Sequence, residues 1–169
     1  MLTIRPAAPE DSREILEVHF AAVHGQPQQY YDEAILEDWS PVVDEARIAN
    51  YLSRPQIDEE MVRVAVLDDN VVAFAVLVPA QNLLRACYVH PRVCRQGIGL
   101  RLLSELEKEG AAQGLAWINL NASLNAEPFY LAAGYVADGM GRQPLPGGNE
   151  MSCVRMYKFL PAEGWRPPL

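Results

Sequence analysis

Cysteine is scarce in this sequence, and its placement argues against disulfides and metal sites alike. The 169 residues include only Cys87, Cys94 and Cys153, an odd number without any C-x-x-C spacing. The three histidines are scattered, and none forms a pair at metal-ligand spacing. We therefore predict no metal site, and we predict that Cys87 and Cys153 pack in the cores of strands.

Long apolar runs and an excess of positive charge are also lacking. No run approaches the roughly 18 apolar residues of a membrane span, and the opening residues lack the basic start and apolar stretch of a signal peptide. The chain has 14 basic and 22 acidic residues, whereas nucleic-acid binders usually carry a basic patch. These absences predict a cytoplasmic protein that binds neither membranes nor nucleic acid. The net charge of -8 weakly favours a cationic substrate such as an amine.

The residues that are present fit one globular domain, residues 1–169, since half of them are hydrophobic. Asp68-Asp69-Asn70 between two valine-rich runs predicts a hairpin. Strands are predicted at 3–5, 61–67, 71–78, 84–89, 116–121 and 151–160. Helices are predicted from about residue 9, and at 44–52, 96–113 and 125–133, with a loop at 139–149. This order predicts an α/β (mixed α+β) fold, a mixed sheet with helices on its faces.

A glycine-containing segment at the start of the long predicted helix is suited to bind phosphate. The segment is Arg95-Gln96-Gly97-Ile98-Gly99. The first amides of a helix have no internal partners, and the helix dipole favours an anion beside them. Gly97 and Gly99 would let a pyrophosphate approach the backbone, and Arg95 would add charge. Glycines that serve only helix packing fit the pattern equally well. A dinucleotide fold is disfavoured by Leu102 at the third glycine position, and no Gly-Lys-Ser/Thr supports a P-loop.

The wider segment resembles the cofactor motif of the GNAT N-acetyltransferase superfamily. The resemblance begins at Cys87-Tyr88-Val89-His90-Pro91 and continues through Arg95–Gly99 into a Leu-Leu helix. Downstream, Asn125-Ala126, Phe129-Tyr130 and Gly134-Tyr135 are similar to the family segment that ends in F-Y and G-F/Y. The resemblance covers nearly the whole chain in the right order. One departure is Cys94, which stands where the family usually has Gln or Arg.

The resemblance implies a central mixed, largely antiparallel sheet with helices on both faces, and acetyl-CoA as cosubstrate. Residues 1–60 would then supply the first strand and the acceptor-side helices, 61–160 the cofactor-binding core, and 161–169 a tail. The implied cofactor contacts are Cys87, Tyr88, Val89, Arg95, Gln96, Gly97, Ile98, Gly99, Leu100 and Asn125. Asn125 is equally suited to cap its helix. Tyr130 is implied to be the general acid for the departing sulfur.

Two functions fit these observations. The first is transfer of an acetyl group from acetyl-CoA to a primary amine of a small molecule or protein by direct attack. The second is a GNAT-like module that binds acyl-CoA without turnover, as a sensor or for a partner. The acceptor itself is not identified by any pattern. The resemblance is also compatible with a homodimer through the last strands.

Acceptor-side candidates follow from chemistry and position. Tyr31 and Trp39 lie in a polar, aromatic stretch from Gly25 to Trp39, and such rings either bind a cationic amine or cover the core. Glu33, with Glu37 and Asp38, is either a proton acceptor or a solvated helix residue. Asn119 and Asn121 alternate along a strand, so both point to one face, which borders the cleft in this interpretation.

Overall fold

The described part of the chain, residues 1–26 and 29–161 of a computed structural model, forms one sheet and five α-helices. The strands are β1 (Thr3–Pro6), β2 (Met61–Leu67), β3 (Asn70–Val78), β4 (Leu83–Val89), β5 (Trp117–Ser123), β6 (Val136–Pro144) and β7 (Glu150–Phe159). The helices are α1 (Ser12–His24), α2 (Glu33–Trp39), α3 (Glu45–Leu52), α4 (Ile98–Ala112) and α5 (Glu127–Ala132). Among the described residues, no helix has the length and apolar character to span a membrane.

All seven strands join one sheet in the order β1-β2-β3-β4-β5-β7-β6. Every neighbouring pair is antiparallel except β4 and β5, which run parallel. The predicted hairpin of β2 and β3 is present, and its turn holds Asp68 and Asp69 at positive φ angles of 50° and 63°, the geometry of a type I′ turn. The predicted mixed α+β class with a largely antiparallel sheet is therefore confirmed.

Helices cover both faces of the sheet because each face carries its own apolar cluster. On one face, here called the α4 face, α4 and α5 pack on a cluster that includes Leu77, Leu102, Leu106, Ile118 and Tyr130. On the opposite face, here called the α1 face, Ile15 and Val18 of α1 pack on Val64, Phe74 and Val76. The inner side of each helix follows the 3.6-residue period that its apolar residues predict.

The sheet opens between β4 and β5. Their parallel ladder contains a single pair, Leu83 with Asn119, although β4 runs on to Val89 and β5 to Ser123. The two strands therefore separate toward their carboxyl ends, and the gap is here called the splay. Asn119 closes its narrow end: its backbone N–H and side-chain amide both donate to Asn82 O, at 2.7 and 2.8 Å.

The prediction of a loop at residues 139–149 is wrong for residues 139–144, which belong to β6. β6 continues to Pro144 and pairs with β7 along that length, so only residues 145–149 connect the two strands. Gly139 has a φ of 90° and lies where the register shifts, which identifies it as part of a bulge. Pairing with β7 thus overrides the local composition, because strand propensity depends on context.

The polar, aromatic stretch from Gly25 to Trp39 contains α2, a helix that the sequence analysis does not predict as an element. Its cap is Asp32, whose side chain accepts a hydrogen bond from Ile35 N at 3.0 Å, a standard N-cap. Pro27 and Gln28 in this stretch lie outside the described residues, as does the predicted tail beyond Pro161.

Candidate active site

The anion loop, residues 95–100, presents backbone amides at the start of α4. Gly97 is the N-cap at a φ of 76°, a conformation that glycine adopts without strain. A Cβ built on Gly97 would have no heavy atom within 4 Å, so the space beside it is open. The first bond of the helix joins Arg101 N to Gly97 O at 3.0 Å, and the three preceding amides have no intrahelical partner. The loop therefore offers an anion free donors and the positive end of the helix dipole.

Gly99 serves packing. A Cβ at this position would lie 3.2 Å from side-chain carbons of both Phe129 and Val89, so α4 approaches α5 and β4 more closely than a side chain permits. The two interpretations of the glycines thus apply to different residues. Gly97 faces open space, whereas Gly99 fixes the distance between α4 and the splay.

Positive charge at the anion loop comes from arginine. Arg95 has a φ of 62°, which is unusual for a residue other than glycine, and such strain concentrates at functional sites. Arg95 and Arg101 are exposed, and neither forms an ion pair within the described part of the chain. The sequence analysis does not name Arg101 as a candidate residue, although it lies in the first turn of α4, directly after the glycines. The thiol of Cys94 turns back toward the backbone and donates to His90 O at 3.6 Å.

The side chains of β4 divide between the two faces of the sheet. Cys87 and Val89 pack on the α4 face, whereas Tyr88 packs on the α1 face. Burial raises the pKa of the Cys87 thiol to about 12, so this thiol stays protonated at neutral pH. Of the three residues on this strand that the resemblance implies as cofactor contacts, two therefore lie on the α4 face and one lies on the α1 face.

Tyr130 lies on α5 with its phenol buried at the α4 face. The residue is 7% exposed, and burial, followed by nearby Cys87, raises its pKa well above the ordinary value of 10.0. Its ring contacts Phe129 and Tyr135 edge to face, with centroids 5.0 and 5.7 Å apart. The Tyr130 hydroxyl therefore stays protonated near neutral pH.

Asn125 does not cap α5. The N-cap position is Ala126, and it has no side-chain hydrogen bond. Within the described residues, the Oδ1 atom of Asn125 is buried and without a hydrogen-bond partner. A buried, unpaired amide oxygen needs an explanation, and an N–H donor of a ligand would supply its missing bond.

An aromatic cluster covers the α1 face beside β4. Trp39 Nε1 donates to Tyr88 Oη at 3.1 Å, and the rings of Tyr31 and Trp39 meet edge to face at 5.7 Å. The hydroxyl of Tyr31 donates to Ser152 O at 2.6 Å and accepts from Leu124 N at 2.8 Å. Tyr31 therefore connects the α1–α2 segment to β7 and to the end of β5 on the α1 face.

His19 of α1 joins this cluster, although the sequence analysis gave it no role. Its ring lies 4.6 Å from that of Tyr88, and its Nδ1 lies 2.9 Å from Ser40 Oγ and 3.0 Å from Arg47 Nη2. A guanidinium only donates, so Nδ1 is unprotonated and accepts. Burial, and then Arg47, lowers the pKa of His19 to about 3. Ile15 and His19 are four residues apart, so both lie on one side of α1. This spacing is the sequence signal that would have placed His19 against the sheet.

The other acceptor-side candidates occupy different positions. Glu33 is exposed at the start of α2. Asp38 accepts from Gly147 N at 2.5 Å and from Asn149 N at 3.0 Å. Burial opposes ionisation of Asp38, but these bonds outweigh it and lower its pKa. Asp38 thereby attaches the β6–β7 loop to α2.

Asn119 and Asn121 both point to the α1 face of β5, as the alternation predicts. The amide of Asn119 is committed to the carbonyls of Gln81 and Asn82, whereas Asn121 Nδ2 donates to Gln143 Oε1 of β6 at 3.0 Å. Both residues line a shallow concavity over β5 and β7. Within the described residues, no three His, Cys, Asp or Glu side chains are grouped to hold a metal.

Comparison with known proteins assigns a family. The family model described as "Acetyltransferase (GNAT) domain" matches residues 26–144. No curated protein sequence matches the chain.

Solved structures with this fold include three acetyltransferases. A GCN5-related N-acetyltransferase of Rhodopseudomonas palustris, also described as a class-II aminotransferase, is 29% identical with a TM-score of 0.81, over 94% of this chain and 95% of that one. The PaiA N-acetyltransferase of Thermoplasma acidophilum, in complex with coenzyme A, is 22% identical with a TM-score of 0.71, over 94% and 99%. A phosphinothricin acetyltransferase of Sinorhizobium meliloti, in complex with acetyl-CoA, is 23% identical with a TM-score of 0.69, over 99% and 93%.

Proposed function

Because the chain belongs to the GNAT acetyltransferase family, we propose that it transfers an acetyl group from acetyl-CoA to a primary amine by direct attack. The observation that carries this proposal is the splay between β4 and β5 beside the open anion loop. The splay leaves a strand edge for an extended ligand, and the loop leaves amides for its phosphates. The amine would approach from the α1 face.

The cosubstrate fits the chain's own donors and acceptors. The amides of the anion loop, with Arg95 and Arg101, would hold the pyrophosphate. The backbone of Val89 and the unpaired Oδ1 of Asn125 would bind the amide-containing pantetheine arm along the splay. The coenzyme A and acetyl-CoA complexes of the structurally similar proteins support this choice.

The chain would assist three parts of the transfer. Acetyl-CoA supplies an acetyl group as a thioester, which amines attack. The backbone N–H of Val89 would polarise the thioester carbonyl. As the C–N bond forms and the C–S bond breaks, Tyr130 would give its proton to the sulfur. The proton that the amine nitrogen loses would, through solvent, restore the neutral Tyr130 hydroxyl. Holding the two reactants together supplies the rest of the rate gain.

Neither His19 nor Asp38 acts as a base in this proposal. The Nδ1 lone pair of His19 is engaged by Arg47, and both oxygens of Asp38 are engaged by the β6–β7 loop. The amine would therefore bind in its neutral form, and the pH dependence of the reaction would follow the pKa of the amine.

Tyr130→Phe tests the proposal. We expect the variant to bind acetyl-CoA as tightly as wild type, whereas amine-dependent release of coenzyme A falls about 100-fold, the usual contribution of a general acid. Binding is measured by calorimetry, and release by thiol detection across a panel of α-amines, ε-amines and polyamines. If the wild-type protein binds acetyl-CoA but no amine in the panel releases the thiol, the acyl-CoA-binding module is the better description.

We also propose a homodimer through the last strands. β6 is an edge strand of the sheet, and Val136, Met140 and Phe159 are 51%, 59% and 71% exposed on β6 and β7. Long edge strands that expose apolar side chains are usually covered. Light scattering after size exclusion is the test, and a monomer at every concentration would contradict the proposal.

A further inference from the structure

A partly buried ion pair lies near Tyr130, at the carboxyl end of α5. Lys158 Nζ of β7 lies 2.8 Å from Glu107 Oε2 of α4, and the two side chains are only 25% and 14% exposed. A buried pair of this kind is costly to desolvate. Its persistence therefore calls for a role beyond net stability.

The pair also fixes the carboxyl end of α5. Lys158 Nζ donates to Ala133 O at 2.8 Å, directly after the last residue of the helix. The next residue but one, Tyr135, donates its backbone N–H to Tyr130 O at 3.0 Å. Its ring lies 5.6 Å from Lys158 Nζ. One ammonium thus connects α4, β7 and the helix that carries Tyr130.

We propose that Glu107 and Lys158 are positioning residues, which hold α5 so that Tyr130 stays at the thiol end of the splay. This inference rests on the proposed acetyl transfer. The anion loop fixes one end of the ligand at the start of α4, and Glu107, on the same helix, fixes the proton donor. A rigid α4 would therefore set the distance between the two.

The physical reason is that α5 cannot position itself. It has six residues, too few to be stable alone, and its carboxyl-terminal carbonyls need partners. Without Lys158, Ala133 O would lose its donor and Glu107 would be a partly buried carboxylate without its cation. The helix end would then shift or fray, and misplacement of a reacting group by about 1 Å costs up to 100-fold in rate.

Lys158→Met is compared with Lys108→Met. Lys108 lies one residue beyond Glu107 and contacts Glu105 at 3.4 Å in an exposed pair, so the control removes the same groups from the surface. Three quantities are measured for each: kcat, the Kd for acetyl-CoA, and deuterium exchange of the amides in residues 127–135. Lys158→Arg, which keeps the charge and the donors, is the conservative variant.

We expect Lys158→Met to lower kcat about 10- to 100-fold with an unchanged Kd for acetyl-CoA, and to exchange faster in residues 127–135. Lys158→Arg should recover most of kcat, and Lys108→Met should match wild type throughout. Should Lys158→Met fail to fold, Glu107→Gln is measured in its place. Unchanged kcat despite faster exchange, or equal loss of kcat and acetyl-CoA affinity, would overturn the positioning role. If the wild-type protein shows no turnover, the proposed function is refuted. Even then, unchanged deuterium exchange of residues 127–135 in Lys158→Met would refute the coupling of the ion pair to α5.

Discussion

The two sides of the splay are built in different ways. On the α4 face, the anion loop and the strand edge consist of backbone groups, and their geometry depends on Gly97, Gly99 and one helix start. On the α1 face, the aromatic cluster is held by side chains that contact residues far along the sequence, as the Tyr31 hydroxyl does when it donates to the backbone carbonyl of Ser152. Backbone sites tolerate change in the surrounding side chains, whereas side-chain sites change with each substitution. The first construction suits a cosubstrate shared by many enzymes, and the second suits a particular acceptor.

The largest expected effect comes from a charge placed in the anion loop. Gly99→Glu would force a side chain against Phe129 and Val89 and would add a negative charge to the loop that we propose as the phosphate site. We expect acetyl-CoA affinity to fall about 100-fold, because a like charge replaces an open dipole end. Calorimetric titration of acetyl-CoA measures the change.

Two further variants separate charge from crowding at this site. Leu100→Glu adds the same charge at a side chain that is 44% exposed, without the packing clash. Gln113→Glu adds it at the other end of α4 and should leave affinity unchanged. If both loop variants bind acetyl-CoA as wild type does, the anion loop does not hold the phosphates.

The pH dependence of turnover should come from the substrate. Burial keeps Tyr130 protonated, and the pKa of His19 is lowered to about 3, so neither group titrates near neutral pH. We expect kcat/KM to rise about tenfold per pH unit up to the pKa of the amine and then to level off. With acetyl-CoA held constant, the pH at which kcat/KM levels off should follow the pKa of the amine that is used. A pH profile of kcat/KM that bends near pH 6.5 for every amine would contradict this expectation and would indicate that a protein group ionises.

The same contrast explains what could be predicted from the sequence. The helix expected at 96–113 is α4 at Ile98–Ala112, and the hairpin was placed almost to the residue, because glycines and turn residues act locally. The contacts of the acceptor side do not act locally, since Tyr31 bonds Leu124 and Ser152. Likewise, alternation predicts that Asn119 and Asn121 share one face of their strand, but only the fold places the Asn119 amide against Asn82 O. The roles of all these site residues stay predictions.

The buried histidine should make stability depend on pH. Because the folded protein lowers the pKa of His19 from 6.5 to about 3, the unfolded chain binds the extra proton between those values, and stability falls as pH falls from 6.5. The loss is about 1.4 kcal/mol per pH unit. We expect His19→Gln to remove about 2 kcal/mol of the difference in unfolding free energy between pH 7 and pH 5. Urea denaturation at each pH measures the unfolding free energy. If this free energy depends on pH in the variant as it does in wild type, His19 does not stay neutral in the folded protein. The same change at the more exposed His90 should have a smaller effect.

The smallest expected effect is confined to the acceptor side. Asp38 accepts from Gly147 N, Asn149 N and Asn149 Nδ2, and Asp38→Asn replaces one acceptor oxygen by a donor that faces N–H groups. The β6–β7 loop should then detach in part from α2, and we expect KM for the amine to rise about threefold, the value of one hydrogen bond. The Kd for acetyl-CoA should not change, because the anion loop lies on the other face. Glu37→Gln, an exposed change on the same helix, is the control. If KM for the amine and the Kd for acetyl-CoA both rise in Asp38→Asn, the two sides of the splay are coupled. They would then form one cooperative site and not two independently built ones.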